Sequence, residues 1–490
     1  MLKRLDVWIC LLAAIVISRL LTMAMIPLLD TTEARYGEIA RIMAETNDWI
    51  TPWFDYGVPF WGKPPLSFWL QALSFKLFGV TEFAARLPSW LANLGILALI
   101  YTLTLKLTGQ RQAVIACLIF ATMALSFMMS GAVLTDPFLA LGTTLSLTGI
   151  ILTLKQPESA WRWCFFIGLA IGLLAKGPLA LILIGSPLAL WLIWRRQWHH
   201  LLSIPWGRGL LLTALLSLPW YIAAELKTPG FINYFIIGEH FLRFIDAGWQ
   251  GDLYGSAHKQ AYGTIWLYWL WATLPWGPIA LIILTWGWIK SKKLNPFTEQ
   301  KPSDEQCLLL LAAVFPSLFF TFSGNILWTY QLPALAPFAV IAAMLPAIST
   351  PTARFSNVIA SSSTALVPVL ILLVGIYSYT HPDKFKTEKM LLASYNEHKN
   401  STDLPLIYID KPPFSARFYA KGKFTQMTLP ELKTLLNNNP NSPYFLSIDN
   451  KKVGKIISSL SANTKIKLKN KRFTLLEVEH IGNTAKTPNN

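Results

Sequence analysis

Runs of about 20 apolar residues recur from the N-terminus to about position 380, and short polar stretches separate them. An α-helix of this length crosses the hydrocarbon core of a membrane, which is roughly 30 Å thick. The runs are apolar on all sides, whereas a surface helix of a soluble protein has a polar face at a period of about 3.6 residues. The pattern therefore predicts a mainly α, polytopic membrane protein with about 11 to 13 transmembrane helices.

Composition and charge support the membrane class. The 490 residues are 53% hydrophobic and only 14% charged, and the mean hydropathy is +0.43. The formal net charge of +16 is explained by Lys and Arg in the loops beside the membrane and by a basic C-terminal segment facing anionic lipid. We therefore expect membrane lipids as partners and no nucleic acid.

Positive charge also predicts the topology. Lys3 and Arg4 place the N-terminus in the cytoplasm, and the basic clusters at 106–111, 195–200 and 290–293 return to that side. The loop that follows the first span then emerges on the opposite face. On the same outer face we expect Asp136, Lys176, the Glu239-His240 loop and Tyr330. Prolines at 333, 337 and 346 could break the span that returns to the cytoplasmic side near Arg354 into two helices.

The apolar runs shorten to strand length after about residue 380. Four such runs (406–409, 444–448, 465–468 and 473–478) alternate with helical candidates at 414–420, 430–437 and 452–460. We therefore divide the chain into a transmembrane domain, residues 1–379, with a first outer loop at 30–86, and a small α/β domain, residues 380–490, also on the outer side. The tail 482–490 is expected to be disordered.

The first outer loop is the most charged stretch near the membrane, which suggests that it forms part of an active site. An amphipathic helix is predicted to begin at Thr32 and to lie along the membrane surface, with Ile39, Ile42 and Met43 on its apolar face. Its remaining charges are expected to be solvated: Glu38, Arg41, Glu45 and Asp48. Further on, prolines and aromatic residues surround Lys63, a pattern that suits a lipid phosphate or a sugar face.

Other charged residues at the membrane edge are functional candidates because burying a charge there is costly. Asp136 precedes Pro137, so capping of the helix that begins there is an alternative explanation for this residue. Lys176 is a lone cation between two apolar helices, and its side chain could simply reach the headgroups. Glu239 and His240 could bind a divalent metal, although the loop lacks a fixed ligand spacing. A metal therefore stays an open alternative.

Several short motifs resemble a known family of membrane enzymes. They are Glu33–Arg41 (EARYGEIAR), Gly62–Pro65 (GKPP), Leu134–Pro137 (LTDP), Leu174–Pro178 (LAKGP), Glu239–Phe244 (EHFLRF) and Thr329–Pro333 (TYQLP). In this order they resemble the GT-C glycosyltransferases of the protein mannosyltransferase superfamily, most of all its aminoarabinose (lipid A) transferase branch. The resemblance covers about 380 residues, the membrane part of the chain.

The resemblance implies roles for individual residues. The family's first-loop arginine falls on Arg35, its phosphate-binding lysine on Lys63 and its tyrosine before Leu-Pro on Tyr330. The remaining substrate-binding candidates are Tyr36, Lys176, Glu239, His240 and Arg243. The family's paired Asp-Glu reads Thr32-Glu33 in this chain, so either Asp30 or Glu33 takes the acidic catalytic role, with Asp136 in support. Gly62 stands where the aminoarabinose enzymes carry a glutamate.

The implied function is transfer of a sugar from a polyprenyl (undecaprenyl) phosphate donor to a cell-envelope acceptor such as lipid A or lipopolysaccharide. The implied location is the bacterial inner membrane, with the active site facing the periplasm. An enzyme resembling a protein O-mannosyltransferase is one alternative. A transporter or flippase is the alternative from another class. Such a protein is expected to have charged residues deep within its helices and internal repeats in its sequence.

Overall fold

The computed structural model describes residues 2–246, 248–255, 258–294, 302–345, 354–399, 404–438, 443–460 and 463–479. These residues form two compact units. The first comprises Met1–Met23 and Ile42–Leu373, and the second comprises Ala24–Arg41 and Val374–Asn490. The C-terminal unit thus includes Ala24–Arg41, a segment that we had assigned to the transmembrane domain.

Helices account for nearly all of the regular structure before Thr380. They are α1 (Leu2–Met25), α2 (Thr32–Thr46), α3 (Leu66–Phe78), α4 (Glu82–Thr108), α5 (Gln110–Thr122), α6 (Ala124–Met129), α7 (Asp136–Lys155), α8 (Trp161–Lys176), α9 (Leu179–Arg195), α10 (Trp206–Lys227), α11 (Thr264–Ala272), α12 (Trp276–Leu294), α13 (Asp304–Phe320), α14 (Leu332–Met344) and α15 (Arg354–Thr380). A π-helix spans Asn233–Leu242, and 3₁₀ turns span Trp198–Ser203 and Trp328–Gln331. A two-stranded hairpin pairs β1 (Trp53–Asp55) with β2 (Val58–Pro59).

Many of these helices are apolar, and the predicted mainly α, multi-pass class is confirmed. Within the described ranges, α1, α4, α7 and α10 are each long and apolar enough to cross a membrane, and α11 with α12 forms a further candidate bent by 101°. The apolar stretch 112–129 forms two helices, α5 and α6, and not one continuous span, because Met123 adopts an extended backbone between them. No glycine or proline in 112–129 signals that break.

The burial of α2 corrects one prediction from the sequence. Glu38 and Arg41, which we expected to be solvated, are each 4% exposed and form a bidentate ion pair with N–O distances of 2.7 and 2.8 Å. Tyr36 and Ile39 are buried as well. The charged residues in the middle of α2 are therefore buried along with its apolar face. The two charges can be buried because they form an ion pair with each other.

A five-stranded mixed sheet forms the centre of the C-terminal unit. The strand order is β4 (Thr425–Met427), β3 (Leu406–Ile409), β5 (Tyr444–Asp449), β7 (Phe473–Glu479) and β6 (Asn463–Lys469). The strands β3, β4 and β5 are parallel, and β7 runs antiparallel to both of its neighbours. The small α/β domain predicted at the C-terminus is thus confirmed, with β4 as an additional strand.

Both faces of this sheet are buried, which explains the continuous apolar sequence of β3. Ile407 and Ile409 pack towards Leu432 of α18 (Leu429–Asn438) and Ile456 of α19 (Val453–Ser459). The alternate residues of β3 pack towards α16 (Lys389–Lys399) and α17 (Phe414–Ala420) on the opposite face.

The predictions for Pro346 and for the tail 482–490 concern residues outside the described ranges.

Candidate active site

Lys63 lies at the end of a loop that is fixed by hydrogen bonds from aromatic side chains. Trp69 and Trp220 donate their indole N–H groups to the carbonyl oxygens of Trp49 and Ile50, at 2.6 and 2.9 Å. Closer to the lysine, the Tyr254 hydroxyl donates to the Pro59 carbonyl (2.8 Å) and accepts from the Trp61 N–H (3.0 Å). The loop is therefore braced on both sides.

Glu239 holds two cations at the centre of the first unit. Its carboxylate lies 3.0 Å from Lys63 Nζ and accepts hydrogen bonds of 2.9 and 3.1 Å from Arg243. The Glu239 side chain is only 5% exposed. Burial acts to raise the pKa of Glu239, but the charges of Lys63 and Arg243 outweigh it and lower that pKa to about 2. Asp252 makes a second ion pair with Arg243, at 3.3 Å.

The π-helix Asn233–Leu242 brings Glu239 and His240 into this cluster, and Arg243 follows directly after it. Such π segments are rare and occur often at functional sites. The His240 ring is fixed because both of its nitrogens lie within hydrogen-bond distance of carbonyl oxygens, those of Phe235 (2.7 Å) and Lys176 (2.9 Å). Burial lowers the pKa of His240.

Lys176 and Asp136 form a second buried ion pair. Lys176 Nζ lies 2.6 Å from the Asp136 carboxylate, and the two side chains are 7% and 8% exposed. Lys176 Nζ also lies 4.7 Å from the centre of the Tyr330 ring, in a cation–π contact. Gly177 ends α8 at a φ of +74°, and an added Cβ would lie 2.6 Å from the Phe235 ring. Only a glycine fits there.

These residues surround a single cavity of about 120 Å³. Three cations line it (Lys63, Lys176 and Arg243), but Glu239 is the one carboxylate on its wall among the described residues. Apolar side chains, among them Phe244 and Phe319, form the remaining wall. A cavity with more positive than negative groups and a partly apolar wall suits an anionic group attached to a lipid.

Asp30 is held inside the C-terminal unit, where its side chain is 4% exposed. Its carboxylate accepts from the Ser415 backbone N–H (2.9 Å), the Ser415 hydroxyl (2.5 Å) and Arg472 (2.5 Å). Arg472 also binds Glu388, at 3.0 Å. Three donors on one carboxylate are what a structural anchor needs. The sequence offered no sign of these partners, which lie 385 and 442 positions away.

Three further predicted site residues belong to the same C-terminal unit. Arg35 packs over the rings of Tyr36 and Phe414, at 5.4 and 6.0 Å from their centres. The Glu33 carboxylate lies 3.4 Å from the Leu29 N–H. The roles predicted for Glu33, Arg35 and Tyr36 stay predictions.

The geometry does not fit the divalent metal that we considered for Glu239 and His240. Glu239 is engaged by two cations, and both His240 nitrogens face carbonyl oxygens. Among the residues that the structure describes, no group of three metal-ligating side chains comes together. We therefore derive no chemical step through a metal.

Tyr234, Tyr254 and Asn325 are the parts of the site that we did not predict. Tyr254 braces the Lys63 loop, Tyr234 OH lies 3.4 Å from Glu239, and Asn325 lines the cavity. The aromatic residues between 225 and 262 were the only sign of the two tyrosines in the sequence. Aromatic residues are also common at membrane interfaces, so they did not point to a site.

A family model and several curated proteins match the chain. The model for dolichyl-phosphate-mannose-protein mannosyltransferase matches residues 11–235. An undecaprenyl phosphate-alpha-4-amino-4-deoxy-L-arabinose arabinosyl transferase from Shewanella sediminis is 31% identical over 336 residues, or 66% of this chain. A protein of the same name from Aeromonas hydrophila is 31% identical over 326 residues, or 65% of this chain. The chain spans only 57% and 56% of these two relatives.

The fold is similar to that of a solved structure along nearly its whole length. The crystal structure of ArnT from Cupriavidus metallidurans bound to undecaprenyl phosphate has a TM-score of 0.75 with this chain, at 16% identity. The match covers 96% of this chain and 97% of that one. Together the comparisons agree with the resemblance seen in the sequence: residues 11–235 match the mannosyltransferase model, about two thirds of the chain is similar to the arabinosyl transferases, and the fold is similar to that of the solved ArnT structure.

Proposed function

We propose that the protein is an integral membrane glycosyltransferase that takes a sugar from an undecaprenyl phosphate donor. The observation that carries the proposal is the pair of cations, Lys63 and Arg243, held by one buried carboxylate at a cavity with a partly apolar wall. The names of the similar proteins support this donor class. The acceptor that we propose is lipid A or another lipopolysaccharide component on the periplasmic side of the bacterial inner membrane.

The transfer itself follows from the chemistry of the donor. The bond between the sugar C1 and the phosphate oxygen breaks, its electron pair leaves with the phosphate, and an acceptor oxygen bonds to C1. The phosphodiester thereby becomes a monoester and gains one negative charge. Lys63 and Arg243 are placed to stabilise that charge, which develops only as the bond breaks.

Asp136 and Lys176 have a positioning role in this proposal. The Asp136 carboxylate, 2.6 Å from Lys176 Nζ, fixes the position of a third cation at the cavity. An acceptor hydroxyl would need a general base to take its proton, whereas an acceptor phosphate is already ionised and needs none. We propose the second case, because the described wall of the cavity offers no carboxylate free of a cation.

The test is transfer of label from undecaprenyl phosphate-linked 4-amino-4-deoxy-L-arabinose to lipid A, with the full chain in proteoliposomes. Lys63→Ala should reduce transfer at least about 100-fold, in the range seen when a group that stabilises transition-state charge is removed. Lys76→Ala, which removes an exposed lysine of the neighbouring helix α3, is the matched control and should leave transfer unchanged.

Three other outcomes of this experiment would each contradict part of the proposal. Near-normal transfer by Lys63→Ala would remove its role at the phosphate. Label on a peptide acceptor instead of lipid A would favour the mannosyltransferase-like alternative. Movement of an intact labelled donor across the bilayer without turnover would favour a flippase.

A further inference from the structure

A second, smaller cavity lies inside the helices of the first unit. It measures about 30 Å³ and is lined mainly by residues of α7, α9, α13 and α14, together with Phe165 of α8. Three of these helices contain a proline that lines the cavity: Pro187 in α9, Pro316 in α13 and Pro337 in α14. All three prolines are buried.

A proline inside a helix frees a carbonyl oxygen, because it has no N–H to donate to the residue four positions earlier. The three residues concerned are Leu183, Ala312 and Pro333. Each of them lines the same cavity. Three helices thus lose a backbone hydrogen bond at one place, in an interior where water and lipid are otherwise excluded.

The fourth helix adds a polar side chain. Thr144 of α7 lines the cavity and is 4% exposed, and its hydroxyl has no hydrogen-bond partner within the described part of the chain. The neighbouring hydroxyls are already used, since Thr143 donates to the Ala140 carbonyl and Ser146 to the Phe165 carbonyl. Thr144 therefore carries an unused hydroxyl donor and lines the same cavity as Leu183, Ala312 and Pro333.

We propose that this cavity is a binding site for one or two water molecules that replace the hydrogen bonds lost at the three prolines. A buried water makes about three hydrogen bonds, and Thr144 with two of the freed carbonyls supplies that number for one water. A second water would serve the third of the carbonyls, those of Leu183, Ala312 and Pro333. The cavity volume is sufficient for a water. A bare cation is disfavoured because, among the described residues, no carboxylate lines the cavity to offset a buried charge.

The water site lies close to the candidate active site. Thr144 follows Asp136 by eight residues of α7, which is about 12 Å along a helix. Helix α9 begins three residues after Lys176, and α14 begins two residues after Tyr330. Helices α7, α9 and α14 therefore begin at or next to residues of the candidate active site, and α13 ends at Phe320, which lines the 120 Å³ cavity. The inference does not depend on which substrate that cavity binds.

Thermal unfolding distinguishes a hydrated cavity from a dry one by the sign of the change. In a hydrated cavity Thr144→Val removes a hydrogen bond to water, so we expect the Tm of the full chain in detergent to fall by a few degrees. In a dry cavity the same change removes a buried, unsatisfied hydroxyl, so Tm would rise. Thr144→Ser keeps the hydroxyl and should retain most of the stability.

The matched control is Thr148→Val on the same helix. Thr148 is fully buried and its hydroxyl also lacks a partner within the described ranges, but it does not line this cavity. We expect its Tm to be unchanged or higher. A Tm for Thr144→Val that is equal to or above that of Thr148→Val would overturn the proposal.

Direct observation completes the test, including the case in which Thr144→Val does not fold. A high-resolution structure of the wild-type chain should show density about 3 Å from the Thr144 hydroxyl oxygen and from at least one freed carbonyl. An empty cavity would refute the water site. A Tm that rises in NaCl relative to choline chloride, and that loses this rise in Thr144→Val but keeps it in Thr144→Ser, would identify a cation instead and refute the proposal as well.

Discussion

Two buried acidic residues, Asp30 and Glu239, have different surroundings in this chain. Asp30 and Glu239 both carry buried carboxylates that bind cations. Asp30 holds Arg472 and Ser415 within the C-terminal unit, whereas Glu239 holds Lys63 and Arg243 at a cavity. The partners of a buried carboxylate therefore depend on its surroundings, and the catalytic role predicted for Asp30 stays a prediction.

The charge of Glu239 should stabilise the folded protein. A carboxyl pKa lowered from its usual 4.5 to about 2 corresponds to about 3 kcal/mol of stability. The folded state binds the proton more weakly than the unfolded state, so this contribution is complete above pH 4.5 and is lost as pH falls towards 2. We expect Glu239→Gln to lower Tm at pH 7, and the difference from wild type to shrink below pH 4.5, in thermal melts between pH 3 and 7.

An exposed glutamate of another ion pair serves as the control for Glu239. Glu158 pairs with Arg162 at 2.9 Å, but its side chain is 91% exposed. Glu158→Gln should leave Tm unchanged at every pH, because water screens such a pair. A Tm of Glu239→Gln that matches wild type at pH 7 would show that the two cations do not need their shared carboxylate.

Close helix packing is the main feature at the scale of the elements. Helices α7 and α8 meet through glycines, so their backbones come nearly into contact. A Cβ added at Gly168 would lie 2.5 Å from the Gly142 carbonyl oxygen and 2.3 Å from the Ser146 hydroxyl. A Cβ added at Gly142 would lie 2.7 Å from the Gly168 carbonyl oxygen. Such small-residue contacts are a common way for helices to associate in membranes.

Gly168→Ala should therefore destabilise the first unit. The added methyl group meets backbone atoms that cannot move independently, and overpacking of this kind costs about 1–3 kcal/mol. Gly185→Ala in α9 is the control, because its Cβ would meet nothing within 4 Å. Alanine favours a helix by about 1 kcal/mol over glycine, so Gly185→Ala should equal or exceed wild type in Tm. Equal Tm values for the two variants would contradict the close contact.

At the scale of the whole molecule, the predicted topology can be tested by labelling. With the four native cysteines replaced, single cysteines are introduced at Tyr56 and Gln110, which are both exposed. The charge bias of the loops predicts position 56 on the outer side and position 110 on the cytoplasmic side. An impermeant maleimide should therefore label Tyr56→Cys in spheroplasts and Gln110→Cys only in inverted vesicles.

Labelling of both positions from the same side would contradict the predicted topology. Permeabilised membranes provide the control, since both cysteines should react there if they are accessible. Because the placement of Lys63 on the periplasmic side depends on this topology, the experiment also tests where the donor is proposed to bind.

The sequence by itself determined the features that depend on local pattern. Apolar runs of helical length identified a multi-pass helical protein, and strand-length runs after residue 380 identified the small α/β domain. Short motifs revealed the resemblance to a known family and selected Lys63, Lys176, Glu239, Arg243 and Tyr330, which the fold brings to one cavity. Burying charges beside lipid is costly, so charges that persist there stand out in the sequence.

Only the tertiary structure decided which partner each of these charges has. Asp30 is anchored by residues 385 and 442 positions away, Glu38 and Arg41 are buried as a pair, and Glu239 holds two cations instead of a metal. Such contacts join segments that are distant in the chain, and a sequence pattern reports the polarity of a residue but not what packs against it. The pairing of charges, and with it the chemistry of the site, therefore came from the fold.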